Sequence, residues 1–153
     1  MKDFMKEALK EAKKAFDKGE VPIGAVIVCD GKILSRGHNN REKSQNALKH
    51  AEIIAIEKAC KKLKSWRLED CEIYVSLEPC PMCAGAISNA RIKALHYACK
   101  EKTSCDHLCD AILSSERLNH KVEIIFDEKY DKESSSLLSM FFKEKRNKKI
   151  DNI

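Results

Sequence analysis

The sequence predicts an α/β domain: one mixed sheet of about five strands covered by helices on both faces, three layers in all. Two observations carry this. Stretches with apolar residues every three or four positions alternate along the chain with short β-branched runs, in the order α-β-β-α-β-α-β-α-β-α. The length, 153 residues, is that of one ordinary domain with a sizeable core.

The first helix spans Lys2 to Lys18, where Met5, Ala8, Leu9, Ala12, Ala15 and Phe16 form an apolar face between lysines and acids. Val21 to Cys29 and Lys32 to Arg36 read as two strands around Asp30-Gly31, a dipeptide suited to a two-residue turn because both positions need positive φ. Polar Gly37 to Lys49 is a loop. A second helix follows from His50 to Leu63, with Ile53, Ile54, Ile56, Ala59 and Cys60 on a wide apolar face. Strand Glu72 to Leu77 leads into a helix opened by Pro79-Cys80-Pro81, proline being tolerated where a first-turn N–H has no partner. Strand Lys93 to Cys99, a helix near Asp106 to Leu113, strand Val122 to Phe126 and a helix from about Lys132 to Lys145 complete the pattern. Lys143 to Ile153 is expected to fray. Without a repeat or linker, residues 1–153 read as a single domain.

The chain holds 29 basic and 24 acidic residues, a net charge of +5 that permits a polyanionic partner without requiring one. Its charged start lacks the apolar stretch of a signal peptide, and Val21 to Cys29 is far short of the roughly 20 residues that span a bilayer. A cytoplasmic protein without a membrane partner is expected. The eight cysteines are then thiols or metal ligands rather than bridges.

Two segments carry chemistry: His50-Ala51-Glu52 opening one helix and Cys80-Pro81-Met82-Cys83 opening the next. Cysteines three apart in a first turn point the same way. Residues 50 and 52 diverge by about 200° in a regular helix, so they can converge only if His50 still has cap geometry. One imidazole and two thiolates form the ligand set of a catalytic zinc with an open fourth position, one ion per chain. Glu52 is then placed to move protons beside a water that the ion acidifies. His-x-Glu followed by Pro-Cys-x-x-Cys is the known signature of zinc nucleobase deaminases. A Cys-x-x-Cys alone more often forms a structural half-site or a redox pair, and His50-Ala51-Glu52 at the start of its own helix is what favours catalysis. Cys105, His107 and Cys109 are candidates for a second metal site, against buried packing as their expected role. Cys29, Cys60, Cys71 and Cys99 are expected in the core.

The chain resembles the cytidine/deoxycytidylate deaminase superfamily, and more closely the bacterial tRNA-specific adenosine deaminases, almost end to end. The resemblance rests on Glu20-Val21-Pro22-Ile23-Gly24-Ala25-Val26, His50-Ala51-Glu52, Ser65-Trp66-Arg67-Leu68, Tyr74 to Cys80, Met82 to Ala86, Asn119-His120-Lys121 and Phe141-Phe142-Lys143. It implies a cytidine-deaminase-like fold and a homodimer with its sites near the interface. It also implies hydrolytic conversion of wobble adenosine to inosine in an arginine tRNA anticodon stem-loop. His50, Cys80 and Cys83 fall on the zinc ligands and Glu52 on the proton shuttle. Asn39 matches a base-contacting asparagine, with Val21, Pro22, Ile23 and Ala51 around the flipped base. Phe141, Phe142, Lys143 and Arg146 match a last helix that meets RNA in the family, and Asn119 and His120 read as RNA contacts or, alternatively and slightly favoured, as a loop cap before a strand.

The basic, aromatic stretch Phe141 to Lys149 suits phosphate contact and base stacking, or alternatively a solvated tail. Two loops depart from the family pattern: Asn46-Ala47-Leu48-Lys49 before the zinc histidine, and Lys100 to Cys105, where a lysine stands for the usual acid. A free-nucleobase deaminase such as guanine deaminase is the nearest rival, since it shares the Cys-Pro-Met-Cys box but needs no basic tail. A zinc-stabilised nucleic-acid-binding module would leave Glu52 unexplained.

Overall fold

The computed structural model describes residues 2–101 and 108–151. Helix α1 (Phe4–Asp17) begins where the Asp3 carboxylate accepts the Lys6 N–H at 3.2 Å, a side-chain cap for an otherwise orphaned donor. Strands β1 (Gly24–Cys29) and β2 (Lys32–His38) form the expected hairpin, with Asp30 and Gly31 at φ 52° and 72°. A four-residue helix α2 (Arg41–Ser44) interrupts the predicted loop, and α3 (Ala51–Leu63) follows. Strand β3 (Cys71–Val75), helix α4 (Pro81–Asn89), strand β4 (Ala94–Tyr97), helix α5 (Leu108–Leu113) and strand β5 (Glu123–Phe126) come next. A 3₁₀ turn, Glu128–Tyr130, leads into α6 (Asp131–Asp151).

The sheet order is β2-β1-β3-β4-β5. Strand β1 runs antiparallel to β2 and β3, while β3, β4 and β5 are mutually parallel, so the predicted mixed five-stranded sheet is present. One core lies where Ala51, Ala55 and Ala59 of α3 and Ile87 of α4 meet Ile27, Ile73 and Val75. On the opposite face Met5, Ala8 and Leu9 of α1 cover Val26 and Val28, joined by Tyr130. Central β1 is buried on both faces, which is why it reads as an unbroken apolar run rather than an alternation.

Two glycines set how closely the helices approach. A Cβ on Gly24 would lie 2.1 Å from the Ala8 carbonyl oxygen, and one on Gly37 2.4 Å from that of Ala51. The second contact seats the first turn of α3 on β2.

Two predicted boundaries move furthest. Strand β1 starts at Gly24, because Val21 to Ile23 turns about Pro22, with the Ile23 N–H donating to the Val21 carbonyl at 2.8 Å. Helix α6 runs to Asp151, whereas Lys143 onward was expected to fray. Lysine, glutamate and arginine are good helix formers, so the helix continues where apolar periodicity ends.

Candidate active site

The site forms at the sheet end where β1 starts and β2 and β3 finish. His50 is the N-cap of α3 with extended backbone, φ −78° and ψ 155°, and Cys80 caps α4 in the same way at φ −70° and ψ 170°. The cap geometry lets His50 and Glu52 share one site despite their spacing. Cys83 lies in the first turn of α4, three residues beyond Cys80. Both helix N-termini bring partial positive charge to the thiols.

Nδ1 of His50 lies 3.6 Å from the sulfur of Cys80 and 3.6 Å from that of Cys83. All three donor atoms fall within 4.8 Å of one another. Tetrahedral bonds of about 2.1 Å to nitrogen and about 2.3 Å to sulfur place those atoms about 3.6 Å apart, so the group fits a metal ion. The hydrogen bond from Cys83, with help from His50, holds the Cys80 thiol down to about 4, while Cys83 itself is pushed up by Cys80 and by burial. His50 is raised, first by its hydrogen bond with Cys80 and then by the charge of Glu52, against the opposing effects of burial and, more weakly, Arg41.

Glu52 is 3% exposed, and its Oε1 has no hydrogen-bond partner. Burial pushes its carboxyl above the ordinary range. Asn39 is likewise buried, at 5% exposure, and its Oδ1 has no partner. Buried polar atoms without partners are costly, and two such atoms at one sheet end suit a polar ligand. Asn39 is held by its own N–H, which donates to the Ile23 carbonyl at 3.1 Å, while the next N–H, that of Asn40, donates to Lys49 at 3.0 Å. These bonds keep Asn39 and His50 on adjacent strands of chain.

The other sequence-derived candidates separate into groups. Val21 and Ile23 line a cavity of about 520 Å³ with Lys100, Leu138, Phe142 and Arg146, joining the α1–β1 loop to α6. Pro22 is buried behind them and Ala51 is fully buried under β2. Phe141 turns inward, 7% exposed, with its ring edge-on to Phe16, and Lys143 is exposed. Asn119 is exposed, and Nε2 of His120 meets the Ile92 carbonyl at 2.7 Å. The structure does not bring these last four into the cavity. Cys105 and His107 lie outside the described residues. Cys109 is buried beside Glu78 and Asp110, the three offering donor atoms within 4.8 Å of one another, and burial raises its thiol. Cys71 and Cys99 are buried and Cys29 and Cys60 half-buried.

Sequence reasoning passed over Glu20. Its buried carboxylate accepts the N–H groups of Glu42 at 3.0 Å and Lys43 at 2.8 Å, fixing α2 beside the site. Its signals were its place at the head of the Glu20 to Val26 stretch that carries the resemblance and an acid flanking the apolar Val21 to Val28 run.

A family model for MafB19-like deaminases matches residues 1–146. The Bacillus subtilis (strain 168) protein named tRNA-specific adenosine deaminase is 49% identical over 147 residues, covering 95% of this chain and 91% of that protein. A solved structure from studies of A-to-I editing by tRNA:A34 deaminases at the wobble position of transfer RNA matches with a TM-score of 0.82 and 38% identity, over 88% of this chain and 98% of that one. The structure of guanine deaminase from Bacillus subtilis matches with a TM-score of 0.61 and 45% identity, over 71% of this chain and 66% of that one.

Proposed function

Because the chain belongs to the MafB19-like deaminases and to the tRNA-specific adenosine deaminase family, we infer that it converts adenosine to inosine at the wobble position of tRNA. The observation that carries this reading is the His50, Cys80 and Cys83 triangle with the buried, unpartnered Glu52 carboxyl oxygen in the same site. The tRNA deaminases match over most of the chain, whereas the guanine deaminase matches a smaller share and with a lower TM-score. A guanine deaminase is therefore the weaker reading.

His50, Cys80 and Cys83 would hold one zinc ion per chain, the donor set and spacing being those of a catalytic site. The ion, when bound, supplies a Lewis acid that acidifies water. Glu52 takes the proton from the attacking water and delivers it to N1 of adenine. It then carries the second proton to the departing amino group. Adenosine and water thereby become inosine and ammonia. Burial suits Glu52 to this exchange, since a carboxyl raised above its usual range can hold a proton and give it up. Asn39 offers its free Oδ1 to the base and holds it over the site.

The base must leave the loop stack to reach Glu52, at a lower cost than in a duplex. The Val21, Ile23, Phe142 and Arg146 cavity is suited to a neighbouring nucleotide, with Phe142 for stacking and Arg146 for phosphate. Ala51 and Pro22 back the base pocket. Phe141 braces the helix and Lys143 stays exposed on it, while His120, held at the Ile92 carbonyl just before β4, and the adjacent Asn119 lie at the opposite end of the sheet from the site.

The proposal extends to a homodimer in the cytoplasm. Exposed Leu48 and the neighbouring Ile53, Met82 and Ala86 surround an open apolar hollow on α3 and α4, two residues from His50. The seven described cysteines are free thiols, in keeping with a reducing compartment. No helix of the described residues is long and apolar enough to cross a membrane. Glu52→Gln tests the chemistry: the variant should keep its metal and lose inosine formation, and substantial turnover would remove Glu52 from its role.

A further inference from the structure

A second cleft, of about 470 Å³, is lined by His38 and Asn40, the residues on either side of Asn39. Lys18, Lys43, Lys49 and Lys58 surround it with His38, and Glu57 is the one acid in its wall. We propose that this lysine-lined cleft binds phosphates of the RNA backbone next to the reacting nucleotide. The proposal rests on the reading that the substrate is RNA.

Position comes first. Asn40, in the wall, follows Asn39, and Lys49 directly precedes His50, the two being joined by the hydrogen bond from Asn40 to Lys49. A strand with its flipped base over Asn39 and Glu52 has this cleft beside it. The cleft is also built rather than accidental. Lys49 is held by Glu57 at 2.9 Å, Lys58 by the Arg36 carbonyl at 3.0 Å and Lys18 by Nε2 of His38 at 3.1 Å. Tethered ammonium groups lose less freedom when an anion arrives. Lys43 makes no side-chain hydrogen bond or ion pair among the described residues, yet its backbone is fixed by the buried Glu20 carboxylate. Four ammonium groups around one cleft repel one another, and one carboxylate does not balance them. A row of phosphates would. Lys49 lies in one of the loops that depart from the family pattern, so the cleft also gives that departure a role.

The test uses the full-length, metal-loaded chain with Glu52→Gln, which binds without turnover. The probe is an arginine tRNA anticodon stem-loop, titrated from low to moderate salt. Adding Lys43→Gln, Lys49→Gln and Lys58→Gln should raise Kd at least tenfold near physiological salt. The slope of log Kd against log salt should fall by about 2, from three lost phosphate contacts at about 0.7 each. Replacing Lys32, Lys64 and Lys93, which lie at the other end of the sheet, by glutamine should change neither. If the cleft variant, with its metal content intact, keeps the parent Kd and slope, the inference is wrong. Weakened binding of inorganic phosphate with unchanged RNA binding would also overturn it, as a small-anion site only. Inosine formation by the wild-type chain on the same stem-loop is scored separately. Its failure would count against the deaminase reading, whereas the salt slope judges the cleft.

Discussion

The carboxylate of Glu20, 1% exposed, accepts the backbone N–H of Lys43 at 2.8 Å. An acid from the α1–β1 loop thus fixes a helix 23 residues later, between Asn39 and His50. Glu20→Ala leaves two N–H groups of α2 without their acceptor and should cost about 1–3 kcal/mol. Glu20→Gln, which keeps one acceptor oxygen, should cost less. Denaturant midpoints check the order of the two variants, and RNA affinity should fall with them because Lys43 is released.

Gly37→Ala places a methyl group 2.4 Å from the Ala51 carbonyl oxygen and 2.9 Å from the Ala55 nitrogen. Both neighbours are backbone, so α3 must shift away from β2. We expect a loss of about 1–3 kcal/mol and a lower metal content per chain, since His50 sits on the displaced turn. Gly85→Ala, with open space around its position, should leave metal content unchanged.

Stripping the metal with a chelator should abolish deamination, and one equivalent of zinc should restore it. Magnesium should not, because two thiolates and an imidazole suit a borderline-soft ion. Cys83→Ser should fail to recover with zinc. Full activity in metal-free protein would exclude a catalytic metal.

Acid stability follows from the α1 acids. The Arg36 hydrogen bond holds the Glu7 carboxyl below its ordinary 4.5. Burial opposes ionisation of Glu11, but Lys14 and His38 outweigh it and hold that carboxyl low as well. Groups lowered by folding stabilise the protein above their unfolded pKa, and that stability is lost as pH falls through the folded value. The Glu7→Gln and Glu11→Gln double variant should be less stable at neutral pH and show a shallower loss between about pH 5 and pH 2. Urea midpoints across that range measure it, and parallel curves for variant and parent would contradict it.

Much of the site was legible because local chemistry decides it. Asp30-Gly31 announces a turn that needs two positive φ angles, and both are present. The two-residue spacing of His50 and Glu52 demands a cap, and His50 is one. Long-range features left weaker traces. Helix α2 depends on Glu20, an acid with no periodic signal. The Phe142 and Arg146 cavity exists only because α6 packs beside Val21 and Ile23, which no spacing along the chain reveals. Phe141 and Phe142 are adjacent and alike in sequence, yet one faces Phe16 and the other a cavity, a difference set by where α6 docks.

The direct test is mass spectrometry on the zinc-loaded protein incubated separately with an arginine tRNA anticodon arm, guanine and cytidine. Inosine is expected at the wobble position of the RNA, abolished by Glu52→Gln, with the guanine and cytidine unchanged. Xanthine from guanine together with an untouched RNA would contradict it.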